Sequence, residues 1–248
     1  MTSYYRQAPP EQRHDDIFAN IQRAFSGLNN KLEKDVRQHL KNVYSTLTLA
    51  IVTAMVGVVA NHLFSLHNFH LLFTIGIFGL VFALHSTPPV RETEKKRLTY
   101  LFALSFLIGV TTGPLVSYVA ISDPSVVFNA YMITLAVFGC FSLAALYADS
   151  TKFLALGGFL STGLLVLLIT SFFARYQAVH GIILWGGLII NSGFILYDTQ
   201  LICEKRRRGD TDYVKHTLEL FLDFVNVFRY ILILLKERSD DNRRRRRD

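Results

Sequence analysis

Residues 213–235 read Y-V-K-H-T-L-E-L-F-L-D-F-V-N-V-F-R-Y-I-L-I-L-L, a stretch long enough to cross a bilayer yet polar along its whole length. His216, Glu219, Asp223, Asn226 and Tyr230 recur at steps of three and four, which places them on one face of a helix. Leu218, Phe221, Val225, Phe228, Leu232 and Leu235 form the other face. Lipid cannot satisfy a polar stripe of this kind, so the helix must point it into protein. The segment therefore predicts company: other helices that enclose it.

Those helices are present upstream. The apolar runs Val43–Phe64, His70–Ser86, Leu98–Val119, Ser125–Tyr147, Phe153–Phe173 and Ala178–Gln200 each approach the roughly 20 residues that span a hydrocarbon core. The predicted fold is an all-α integral membrane protein, a bundle of six to seven transmembrane helices with the last enclosed by the others. Composition agrees: of 248 residues 51% are hydrophobic and 18% charged, too few charges for an ordinary soluble enzyme. The charges collect in the tails, twelve in residues 1–42 and eleven in 236–248. Three regions follow: a cytosolic tail with an amphipathic helix (1–42), the helical bundle (43–235) and a basic C-terminal tail (236–248).

In the first tail Phe18, Ile21, Phe25, Leu28, Leu32, Val36 and Leu40 draw one apolar stripe, the pattern of a helix lying on a membrane or packed against the bundle. The first 40 residues are polar, so the first apolar run itself is expected to act as the insertion signal. Cys140 and Cys203 are too few and too far apart for a disulfide framework. The arginines Arg243 to Arg247 have no aromatic interleaving and read as a charge cluster facing lipid, not nucleic acid.

Orientation follows from the short connections. Alternate loops carry ten Lys and Arg against one, so the N-terminus and the basic loops belong to the cytosol. Seven full crossings would then strand the arginine tail outside. The charge rule instead favours a cytosolic C-terminus, with the seventh helix held inside the bundle.

Two carboxylates matter most. If the last two helices form a hairpin turning at Gly209, Asp198 and Asp223 are equidistant from the turn and meet at one depth. An ionisable residue inside a membrane helix marks a pathway or relay by default. Two such carboxylates in contact cannot both ionise cheaply, so they share a proton, and a divalent cation with oxygen ligands can replace that proton. Asn191 shares a helical face with Asp198, and Arg229 offers charge compensation from the last helix. The bland alternative is that Asp198 is wetted at the interface while Asp223 pairs with a basic group to fix packing. His216 and Glu219, nearer the cytosolic end, fit an interfacial role.

At these positions the chain resembles the transmembrane Bax inhibitor motif family. The resemblance rests on F-I-L-Y-D-T-Q-L-I at 194–202, G-D-T-D-Y at 209–213 and L-F-L-D-F-V-N-V-F-R at 220–229. It is carried further by E-T-E-K-K-R-L at 92–98 and G-V-T-T-G-P at 109–114. The resemblance implies a non-enzymatic protein of the endoplasmic reticulum membrane, a pH-sensitive calcium leak that restrains cell death. It implies no cofactor beyond calcium as the transported ion, with membrane lipid and apoptosis-regulating membrane proteins as partners. It makes Asp198 and Asp223 the proton-sensing and calcium-binding pair, and Arg91 the nearest match to a basic latch on the second helix.

Two rivals from other classes are weaker or compatible. An intramembrane aspartyl protease needs a G-x-G-D motif, and Leu220, Phe221 and Leu222 precede Asp223 instead. A non-conducting adaptor acting through its cytosolic surfaces is the second reading.

Overall fold

The computed structural model describes residues 32–148, 152–173 and 177–245. Among them the chain forms seven α-helices: α1 (Lys34–Phe64), α2 (His70–Ser86), α3 (Glu94–Ser122), α4 (Pro124–Tyr147), α5 (Gly157–Ser171), α6 (Gln177–Arg207) and α7 (Tyr213–Arg245). Short 3-10 turns at Leu66–Phe69 and Leu154–Leu156 precede α2 and α5. No strand occurs among the described residues. Helices α1, α3, α4, α6 and the Leu154–Ser171 segment are long and apolar enough to cross a membrane, and α2 is a shorter apolar helix.

The bundle is inside out relative to a soluble protein. On α2 Leu71, Phe78 and Phe82 are each more than 70% exposed, and Leu84 is its one buried residue. On α5 only Leu160 and Leu167 are buried. Apolar surface on this scale is stable only against lipid. Helix α7 shows the reverse: thirteen of its residues are buried, His216, Thr217, Asp223 and Lys236 among them. It packs against α1, α3, α4 and α6, so the last helix is enclosed by its neighbours.

Close approach between α1 and α3 fixes one wall. A Cβ at Gly57 would strike the Phe106 carbonyl, and one at Gly109 would strike the Ala54 carbonyl. Glycine at both positions lets the two backbones touch, as small residues do at membrane helix interfaces.

Helix ends depart from the apolar runs. α1 begins at Lys34, not Val43, and Val36 and Leu40 are buried in the bundle core. That part of the N-terminal stripe packs against the bundle; Phe18, Ile21, Phe25 and Leu28 lie outside the described residues. α6 runs on to Arg207 and α7 to Arg245, ten residues past Leu235. Boundaries at 42 and 235 thus fall inside helices. Hydropathy marks where lipid contact stops, whereas helical hydrogen bonding continues through the interface with charged side chains extended to water.

The turn between α6 and α7 ends as the sequence requires. Gly209 has φ +96°. The Asp210 amide donates to the Lys205 carbonyl at 3.0 Å and the Gly209 amide to that of Arg206 at 3.0 Å, a Schellman closure. Asp212 then caps α7, accepting from the Lys215 amide at 3.0 Å.

The ends of α7 lie at opposite ends of the bundle. At its start, Arg206 and Arg207 pair with Asp35 and Glu33 beside α1 at 3.9 and 3.6 Å. At its finish Arg243 donates to the Ser122 carbonyl at 2.8 Å and pairs with Asp123 in the α3–α4 turn at 3.2 Å. A single helix of 33 residues is about 50 Å long, more than a bilayer core.

Candidate functional site

Asp198 comes from α6 and Asp223 from α7, and the hairpin brings their carboxyl groups within electrostatic reach of each other. A hydrogen bond between them would need a proton on one partner, because an ionised carboxylate only accepts. Asp223 is buried and its Oδ2 has no partner among the described residues. Asp198 is half-buried.

A third acid adjoins the pair. Glu219, one turn before Asp223 on α7, acts electrostatically on both aspartates. Lys205 near the end of α6 answers it, with Nζ 3.3 Å from Glu219 Oε1 and 3.4 Å from Oε2. Glu219, partly exposed, thus lies between Lys205 and the two aspartates. Among the described residues no group of three or more His, Cys, Asp or Glu side chains is arranged to hold a metal ion.

The other expected members of the stripe take separate posts. His216 is fully buried, with Nδ1 2.8 Å from Nε2 of His39 on α1. Its Nε2 faces Asp210 at 3.6 Å. Asn191 is buried but spends its amide on the Gly187 carbonyl within α6, at 2.8 Å. Asn226 is half-buried on α7. Arg229 turns away from the acids to α3, where Nε donates to Thr112 Oγ1 at 3.1 Å. No carboxylate lies within ion-pair distance of it among the described residues.

Arg91 is not on the pair. It is exposed in the connection between α2 and α3, where it helps line a cavity of about 220 Å³ with Glu94, Asp212 and Tyr213. The Pro88–Pro89 stretch ends α2 before this residue, leaving it outside the span. The basic side chain that is buried here is Arg97, six residues later. Its guanidinium grips Asp212 in a two-pronged bond, Nη1 to Oδ1 at 2.6 Å and Nη2 to Oδ2 at 2.7 Å. Beside it the Tyr213 hydroxyl donates to Glu94. Burial works to raise the Asp212 carboxyl, but the Arg97 hydrogen bonds, the Lys215 amide and the Arg97 charge outweigh it and hold it below the ordinary carboxylate value. One residue thus caps α7 and ties the hairpin to α3, fixing the helix that carries Asp223.

Comparison with known proteins places this arrangement. A family model described as "Inhibitor of apoptosis-promoting Bax1" matches residues 36–240. "Bax inhibitor 1" of Homo sapiens is 38% identical over 215 residues, 85% of this chain and 90% of that protein. "Bax inhibitor 1" of Arabidopsis thaliana is 39% identical over 224 residues, covering 88% and 89%. "Probable Bax inhibitor 1" of Paralichthys olivaceus is 37% identical over 222 residues, covering 88% and 93%.

Proposed function

This chain belongs to the Bax inhibitor family of apoptosis-suppressing, multi-pass membrane proteins, and from that premise we propose that it is a proton-gated calcium leak of the endoplasmic reticulum membrane. The observation that carries the reading is the pairing of Asp198 with the buried Asp223 across the α6–α7 hairpin, where Asp223 Oδ2 has no hydrogen-bond partner among the described residues. With a shared proton in place, a hydrogen bond between the two clasps α6 to α7. Without it, two adjacent negative charges in a low-dielectric site repel one another and attract a divalent cation. The same chemical event loosens the helix contact and creates the ion's resting place. Glu219 adds a further negative charge on the approach, and Lys205 restrains it.

The role is transport rather than catalysis. Calcium is cargo, held briefly by the aspartates with water and backbone oxygens completing its shell. Lowering the store from which death signals draw would link the leak to apoptosis suppression.

The test is flux through purified protein in liposomes loaded with a calcium indicator, across a pH series. Wild-type flux should follow pH, and Asp198→Asn and Asp223→Asn should each flatten that response. An unchanged pH response in both variants would reject the gate. Protection from cell death that survived in variants without flux would instead assign survival to an adaptor role on apoptosis-regulating membrane proteins.

A further inference from the structure

Helices α1 and α4 both rest on α7 but hardly touch each other, and two apolar cavities lie between them. The one nearer the basic loops has a volume of about 640 Å³. The other, deeper in the membrane, is about 380 Å³. Ile51 and Phe224 line both, so the two cavities adjoin along one seam. Its floor is α7, through Phe221, Phe224 and Val225. The helices touch across it where the Tyr44 ring meets Phe138 edge-on, at 6.5 Å between centroids, and Phe138 in turn meets Phe224 at 5.6 Å.

Two features identify what fits. The seam opens sideways toward lipid: Met55, Val59 and Phe128 at its walls are about half or more exposed. Its mouth at the start of α1 is lined by Arg37 and Lys41, one helical turn apart and both exposed, whereas the lining below them is apolar apart from scattered hydroxyls. A positive mouth above an oily slot complements an amphiphile with a negative head and a hydrocarbon tail. The volumes lie within the range of small-molecule sites.

We propose that the α1–α4 seam is a binding site for one anionic phospholipid of the surrounding leaflet. The phosphate sits at Arg37 and Lys41, and an acyl chain runs down over Tyr44 and Ile51 onto Phe224. That chain abuts the residue next to Asp223, so the lipid wedges α1 apart from α4 and buttresses the face of α7 opposite the acids. The site is independent of the leak: lipid retention is read without any flux.

Gly139 supplies a clean test, because it lines the seam and a Cβ there meets nothing within 4 Å. Gly139→Leu fills the slot while also favouring the helix. The full chain is placed in nanodiscs of equal phosphatidylserine and phosphatidylcholine, released into detergent, and its bound lipid read by native mass spectrometry. Wild type should keep one phosphatidylserine at tenfold or more over phosphatidylcholine. Arg37→Gln with Lys41→Gln should erase that preference at least tenfold, and Gly139→Leu should abolish retention of both lipids. Equal retention of the two lipids by wild type, or phosphatidylserine retention untouched in both variants, would overturn the proposal. So would lipid binding that appeared only after removal of residues 1–31, since the seam would then belong to the chain's own N-terminal segment.

Discussion

Helices α2 and α7 sit in one bundle under opposite rules. α2 is apolar all round, and it exposes Phe78 and Phe82 while burying Leu84 alone. α7 carries His216, Glu219, Asp223, Asn226 and Arg229, and thirteen of its 33 residues are buried. In water the assignments would be exchanged. The contrast teaches that burial here follows hydrogen-bonding need rather than hydrophobicity: lipid accepts a phenyl ring as readily as protein does, but not a carboxyl group. Stability should then reside in α7's polar ties and in tight packing, and hardly at all in α2's outer face.

The comparison breaks most visibly at Arg97. Removing it leaves Asp212 buried and uncompensated, so Arg97→Ala should cost about 3–5 kcal/mol, read as thermal unfolding in detergent. The same pair predicts a pH effect. Asp212 is held below its unfolded value, so the stability it lends is present at neutral pH and above the ordinary carboxylate range. It is lost as pH falls through the lowered folded value. Acid melting curves of wild type should therefore drop in that window, and those of Asp212→Asn should show less of the drop.

Within α2 the rule can be sharpened by two substitutions on one helix. Leu84→Ala opens a packing defect, smaller than the roughly 2–5 kcal/mol of a soluble core because lipid is as apolar as leucine, yet measurable. Phe82→Ala removes a larger side chain and should shift unfolding by less than about 0.5 kcal/mol. The reverse order would mean that α2's outer face is a protein interface.

The smallest effect on stability should come from epitope tags at the two termini, which ask only where α7 ends. Because Arg243 sits in the α3–α4 turn while the start of α7 sits by α1, selective permeabilisation should reveal the tags on opposite sides of the membrane. Tags on one side would require α7 to leave the bundle before Arg243. The charge rule, with its ten-to-one bias, favours that second result, so the experiment sets a packing contact against a topogenic signal.

The enclosed last helix was legible because its stripe repeats locally, every three or four residues. The meeting of Asp198 and Asp223 was legible for a related reason: a hairpin is a mirror, and Gly209 with its left-handed φ marks the mirror plane. Arg97 was hidden. Its partner is 115 positions away, and in the sequence it is one of four cations in a loop already explained by membrane topology. Arg91, in the same run, was equally plausible by composition, and only the start of α3 at Glu94, between the two, separates their fates. His39 was hidden likewise, since its contact with His216 joins residues 177 apart.

The burial of α7 also constrains how the protein is made. A translocation channel releasing segments one by one into oil would meet, last of all, a rod bearing Asp223 and Arg229, each costing about 2.5–3.5 kcal/mol at mid-depth. That rod has no reason to partition alone. It must be handed directly to a cradle that α1, α3, α4 and α6 have already assembled, so a ribosome paused before residue 213 would leave an open, thirsty groove for a chaperone to guard.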